Sequence, residues 1–415
     1  MSTLDDLRGE LAAIYADSKI DTLGIHTVTF QPLRSRISED RLVTEEWNIL
    51  GQQWLFLAVL DGHGGTAAVQ HAANILPARI RTALHLLIQH HLRGRLDRNN
   101  SGNGTLVSMM LREEIEKFDR SIGEAVKSIC PKPYRLTEDA ARALIQEHME
   151  VLQRAHSGTT LAAVLVNVSE QLMWAVGVGD STVALSTLGT NGKRSFERLV
   201  DLHSPKNPLE YFRVAMAHPA TEKEVLIEDR LLGSLAMTRA IGNFKLKFHH
   251  TYLSHLLRFV PTTSKKPPEK VIPRIITPPY LIVEPSVRFI DLQLYRTAEP
   301  IVMLYSDGVD CLVDGYSNFS PDMCRKSNPC QVVTALLQDS VDPFVEEALE
   351  HKVELRWTGP NGNKAVDVLG NLVGGTNVDK LKMVMDQEIL ADRTEQSGFY
   401  IDDVSIIIFE VSKTS

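Results

Sequence analysis

The chain has 415 residues, 43% hydrophobic and 23% charged, with a formal net charge of −8. These values fit a globular protein with room for one large domain or two ordinary ones, and the negative balance speaks against a nucleic-acid partner. No apolar run is long enough to span a membrane. Asp5, Asp6, Glu10 and Asp17 make the N-terminus unlike a secretory signal or an Arg-rich mitochondrial presequence. Cys130, Cys311, Cys324 and Cys330 show no paired spacing, so neither a disulfide framework nor a zinc site is expected. A reducing compartment, cytoplasmic or nuclear, is the simplest expectation.

Residues 1–24 read as an N-terminal extension, and Arg34 to Arg41 as a charged cluster. The apolar run Trp54 to Leu60 predicts a buried strand that breaks into Asp61-Gly62-His63-Gly64-Gly65. Asp61 is left at the strand end as a hard oxygen ligand, with His63 two residues on as a proton donor. An isolated Asp-Gly is an ordinary turn, so the rest of the chain has to decide between the two readings. Thr66 to Leu92 predicts a helix interrupted at Pro77, and Asn99 to Thr105 a flexible loop. Val107, Leu111, Ile115, Phe118, Ile122 and Val126 recur at helical spacing, and Thr137 is placed to cap a further helix running towards Arg154.

Ser157 to Val166 and Leu172 to Val178 predict a hairpin ending in Gly179-Asp180-Ser181. Residues 258–285, rich in Pro and Lys, read as a long extended insertion. Pro300 to Ser306 is a short strand ending in Asp307-Gly308, and Asp402-Asp403 directly precede the strand Val404 to Val411. With no tandem repeat and no break in composition, residues 25–412 are expected to form a single domain with insertions near 93–156 and 258–280.

Asp61, Asp180 and Asp307 each follow an apolar strand, and Asp402 precedes one. In an antiparallel arrangement the end of one strand lies beside the start of its neighbour, so these acids can gather at one edge. Gathered carboxylates repel unless cations neutralise them, and an all-oxygen set favours Mg²⁺ or Mn²⁺ over zinc or copper. Two such ions sharing one Asp would lower the pKa of a water between them, and a phosphate ester is a natural electrophile for the hydroxide.

The ordered motifs Ser38-Glu39-Asp40-Arg41, Asp61-Gly62-His63-Gly64-Gly65, Ser157-Gly158-Thr159-Thr160, Gly179-Asp180-Ser181, Leu232 to Asn243, Ser306-Asp307-Gly308 and Asp402-Asp403-Val404-Ser405 resemble the protein phosphatase 2C family of metal-dependent Ser/Thr phosphatases. Thr277 to Pro285 and Tyr400 to Ile406 look most like its pyruvate dehydrogenase phosphatase branch, which is mitochondrial. The resemblance implies an α+β fold: a four-layer αββα sandwich, two central antiparallel sheets flanked by helix pairs, with the metal site at one end. It implies two Mg²⁺ or Mn²⁺ ions bridged by Asp61, with the Gly62 carbonyl on one and Asp307 and Asp402 completing the other. Glu39 and Asp40 would hold metal-bound waters, a bridging hydroxide would attack phosphorus in line, and His63 would protonate the leaving Ser or Thr oxygen.

Departures from the family pattern are visible. The usual phosphate-gripping Arg is Ser35, flanked by Arg34 and Arg36, either of which could serve. Thr182 replaces an Arg, and Asn243 an Asp. Cys311 stands where a second acid helps hold a weak third ion with Asp180 and Asp307. The expected activity is dephosphorylation of phosphorylated proteins by a monomer. The alternatives are a pseudophosphatase scaffold or regulatory module on the same fold and a hydrolase of small phosphorylated metabolites.

Overall fold

The computed structural model describes residues 3–92, 94–263, 268–314, 327–392 and 400–411. Its main strands are β1 (Tyr15–Ile20), β2 (Ile25–Phe30), β3 (Arg41–Ile49), β4 (Gln52–Leu60), β5 (Leu161–Asn167), β6 (Leu172–Val178), β7 (Thr182–Leu188), β8 (Arg194–Arg198), β9 (Ser286–Asp291), β10 (Ile301–Tyr305) and β11 (Val404–Glu410). They form two antiparallel sheets, one ordered β1-β2-β11-β10-β7-β8 and the other β9-β6-β5-β4-β3.

Side chains alternate across each strand, so the central strands bury both faces. On β4, Leu55, Leu57 and Val59 meet Val183, Val302, Leu304, Ile407 and Phe409 of the opposite sheet. Trp54, Phe56 and Ala58 turn outward into a helical core. Double burial is why these strands read as unbroken apolar runs rather than as an alternation. Helix α1 (Leu4–Ala12) lies on the six-stranded sheet. Next in the chain, α2 (Ala67–His91), α3 (Ser101–Ile129) and α4 (Met149–His156) cover the five-stranded sheet. Finally α5 (Gly308–Val313), α6 (Lys364–Val373) and α7 (Val378–Met385) return to the first. The result is the four-layer αββα sandwich expected from the sequence. No helix among the described residues is long and apolar enough to cross a membrane.

The hairpin β5–β6 forms, with Leu161 opposite Val178. The stripe from Val107 to Val126 is buried on α3, and Thr137 caps Glu138–Glu147 by accepting from Ala140 N–H at 3.3 Å. Four local expectations differ. Pro77 does not interrupt α2, because Leu76, Ile80 and Leu84 bury one continuous face and outweigh the roughly 3 kcal/mol cost of an interior Pro. The stretch Asn99 to Thr105 is mostly helix rather than loop. Asn100 accepts from Gly102 N–H at 3.1 Å, and Trp174 Nε1 donates to the Gly104 carbonyl at 3.0 Å, which fixes the first turn against the sheet.

Residues 258–285 hold short helical turns, among them Pro268–Val271 and Ile272–Arg274, rather than one extended insertion. Val260, Val271, Ile275, Tyr280 and Leu281 anchor the segment in the helical core. Residues 264–267 of that segment, and Cys324, lie outside the described residues. The fourth difference concerns the expected extension 1–24, of which residues 3–24 are built into the domain. β1 pairs along its length with β2, Leu7 and Leu11 are buried, and Thr3 and Asp6 close a capping box on α1. Deleting residues 1–24 is therefore expected to remove about 3 kcal/mol or more, the worth of two buried Leu side chains, measured as a lower urea midpoint.

Candidate metal centre

The convergence of acids follows from strand pairing. Leu60 of β4 lies opposite Arg41 of β3, so Glu39 and Asp40 sit beside the Asp61-Gly62 turn. Gly62 N–H donates to the Glu39 carbonyl at 3.1 Å. A Cβ on Gly62 would fall 2.4 Å from that oxygen, so only Gly permits this approach. Thr160, just before β5, donates its N–H to the Asp61 carbonyl at 2.9 Å and accepts from Asp61 N–H at 3.3 Å.

On the other sheet Tyr305 pairs with Ile406, bringing Asp307 beside Asp402 and Asp403. Ser306 joins the two sheets: its Oγ donates to Asp40 Oδ2 at 2.8 Å and accepts from Ser405 N–H at 2.9 Å. Gly308 makes a second close approach, since a Cβ there would lie 2.1 Å from the Asp403 carbonyl.

Burial is the largest influence raising these acids, and like charge adds to it. The Asp61 and Asp307 carboxyls lie close enough to act on each other's titration. Burial pushes Asp307 up to about 8, with Asp180 and Asp402 adding to it. Burial, then Asp307, Asp40 and Asp402, raises Asp61 well above the carboxylate range. Asp40 is raised by burial and by Asp403, Asp180 to about 6 by burial and Asp310. Asp310 reaches about 7 by burial and Asp307, against Arg198. Oδ1 of Asp40, Asp180 and Asp310 are each buried with no hydrogen-bond partner.

The three orphaned carboxylate oxygens are hard donors of the kind that Mg²⁺ and Mn²⁺ prefer. Among the described residues no group of three or more His, Cys, Asp and Glu is arranged so that it could hold a metal ion. Asp402 is drawn aside, its Oδ1 accepting from Tyr400 Oη at 2.9 Å and from Arg36 at 3.4 Å.

The other sequence-predicted residues are placed as follows. His63 Nε2 meets Asn243 Oδ1 at 2.6 Å, and burial holds its imidazolium down to about 4. Glu39 Oε1 accepts from Gly65 N–H at 2.9 Å and Thr263 Oγ1 at 2.8 Å, and Glu39 N–H donates to Asp403 Oδ2 at 2.7 Å. Arg34 is exposed, with its backbone N–H on Gln387. Arg36 alone of the two reaches the cluster, 3.4 Å from Asp402, 3.7 Å from Asp403 and 4.0 Å from Glu39. Burial disfavours its charge, but Asp403 and Asp402 outweigh that and raise it.

The sequence profile of the Protein phosphatase 2C family matches residues 33–309. The chain belongs to the protein phosphatase 2C family. It is 32% identical over 160 residues to human mitochondrial [pyruvate dehydrogenase [acetyl-transferring]]-phosphatase 2, covering 38% of this chain and 29% of that protein. It is 26% identical over 267 residues to Probable protein phosphatase 2C 40 of Arabidopsis thaliana, covering 64% of this chain and 50% of that protein. The matches thus span half or less of these relatives' length. A solved structure described as a C. elegans sex determining protein aligns with a TM-score of 0.45 at 17% identity, covering 95% of this chain and 66% of that one.

Against the protein phosphatase 2C pattern, the acid expected four residues after Asp307 is Cys311, and its Sγ faces the Tyr400 carbonyl. Asp310, three residues after Asp307, couples to Asp180 and Asp307 instead. By spacing alone it falls one residue short of the position that Cys311 takes. The signal that could have found it is helix phase, since positions i and i+3 share a face of α5. Ser306, Asp403 and the Asn243 contact to His63 were also missed as parts of the site, because each acts through a partner remote in sequence.

In metal-free protein the folded state binds more protons than the unfolded state from about pH 4, the ordinary carboxylate value, up to about pH 8, where Asp307 titrates. This contribution to stability is present at low pH and is lost as pH rises. The buried His63, His156 and His203, held at about 4, 3 and 3, give the opposite slope only below their ordinary value of 6.5. Thermal melts in EDTA should therefore fall between pH 6.5 and 8, and Asp307→Asn should flatten that fall. Mn²⁺ uptake at pH 7 should release protons, seen as buffer-dependent heat in calorimetry.

Proposed function

We propose that this chain is a metal-dependent protein serine/threonine phosphatase. The observation that carries the reading is the gathering of Asp61 and Asp307, which follow strands of different sheets, with Asp40, Asp180 and Asp402 acting on them. Asp61, Asp307, Asp402 and the Gly62 carbonyl would hold two Mg²⁺ or Mn²⁺ ions, with Asp40 and Glu39 ordering the waters around them. Asp180 and Asp310 offer the carboxylates for a third. When bound, such ions supply Lewis acidity that makes water a nucleophile and neutralises phosphoryl oxygens.

The remaining steps belong to the chain. The cleft holds the phosphorylated Ser or Thr in line with the attacking water. His63, fixed by Asn243, delivers a proton to the leaving oxygen. Burial disfavours the charged ring, so the imidazole of the free protein is uncharged at neutral pH. An arriving phosphate dianion favours the protonated ring and loads the acid with the substrate.

A phosphothreonine peptide should be hydrolysed in Mn²⁺ and spared in EDTA. Asp61→Asn should slow turnover by ~100-fold or more, since metal activation of water contributes several kcal/mol. Wild-type rates from that variant would refute the reading. Asp310→Asn should raise the Mn²⁺ concentration needed for half-maximal turnover, while Cys311→Ala should leave it unchanged. Ion uptake without turnover would favour the scaffold reading, which draws on the neutral Asn243.

A further inference from the structure

The cations around the cleft are nearly all spoken for. Arg36 lies on Asp402 and Asp403. Lys247 Nζ is held by both Asp119 oxygens at 2.7 and 2.8 Å. Lys245, two residues beyond Asn243 in the turn Phe244–Lys247, has no hydrogen-bond or ion-pair partner among the described residues. Burial pushes its ammonium down to about 8, with no carboxylate offsetting the cost. Its Nζ lies 3.9 Å from where a Cβ on Gly64 would stand, and its charge acts on both His63 and His156.

A second donor beside it is also unmatched. Asn243 is fully buried, its Oδ1 is committed to His63, and its Nδ2 has no acceptor. A half-buried ammonium with no counter-ion among the described residues, beside an orphaned amide N–H, makes a ready partner for an anion. Lys245 acts on His63 and lies beside Gly64, and the acceptor that the proposed reaction brings next to His63 is phosphoryl oxygen.

We propose that Lys245 binds the phosphate of the substrate, taking over the grip that neither Ser35 nor the engaged Arg36 supplies. Its ammonium meets a dianionic phosphoryl group as a point charge beside the leaving oxygen that faces His63. The proposal rests on the phosphatase reading above but is measured apart from it. The protein binds; the ion pair forms without covalent change.

The test uses Mn²⁺-loaded full chain and inorganic phosphate, followed by calorimetry and by inhibition of phosphopeptide hydrolysis. Lys245→Met should weaken phosphate binding by ~10-fold or more, the worth of a charge-assisted hydrogen bond, and should raise KM more than it lowers kcat. Lys245→Arg should recover most of that affinity, and Mn²⁺ uptake should match wild type in both variants. Phosphate affinity unchanged in Lys245→Met, or weakened equally in both variants, overturns the proposal, as does wild-type protein with no affinity for phosphate. Wild-type protein that binds Mn²⁺ and phosphate but turns over no phosphopeptide removes the phosphatase reading and leaves the Lys245 site standing.

Discussion

Mutual repulsion among carboxylates packed into one end of a sandwich is the constraint on which the rest of this structure depends. Asp61, Asp307, Asp40, Asp180 and Asp310 are all pushed upward in the same direction by burial and by one another. Such an arrangement costs stability in a protein that must fold around it, and it persists only where the surrounding framework leaves the acids no other place to go. Here the framework is two sheets whose strands are buried on both faces. Their strand ends cannot shift without dragging the core with them.

The neighbouring polar groups convert that rigidity into a specific geometry. Ser306 touches Asp40 and the β11 backbone together, so a single hydroxyl sets the spacing between the two sheets' acids. Thr160 fixes the backbone on both sides of Asp61 and passes its own hydroxyl to Ser181 at 2.7 Å, next to Asp180. Asp403 holds the Glu39 N–H. Each contact joins residues more than twenty positions apart, and each orients an acid rather than serving as one of the central pair.

The segment around 258–263 adds a wall to this end of the molecule. Thr262 Oγ1 donates to the Gly64 carbonyl at 3.1 Å, and Thr263 Oγ1 donates to Glu39. A stretch whose Pro and Lys content suggests a solvated loop is thus fastened to the turn that carries His63. Its buried Val260, Ile275, Tyr280 and Leu281 explain why it does not float free.

Strand periodicity and the acids at strand ends are local properties, and the sequence alone therefore determined the hairpin and the strand-end placement of Asp61, Asp180 and Asp307, while the four-layer sandwich was legible through the motifs that resemble the family. The sequence could not determine which side chain of a close pair faces the cleft. Arg36 rather than Arg34, and Asp310 rather than Cys311, were decided by the charges waiting opposite, which come from distant segments. Tertiary packing likewise turned residues 3–24 into an edge strand and a capped helix, and made Asn99 to Thr105 the start of α3, because Trp174 offers a partner that composition does not reveal. The isolation of Lys245 belongs to the same class: an unpaired charge is defined by what does not surround it, and only the folded chain fixes that neighbourhood.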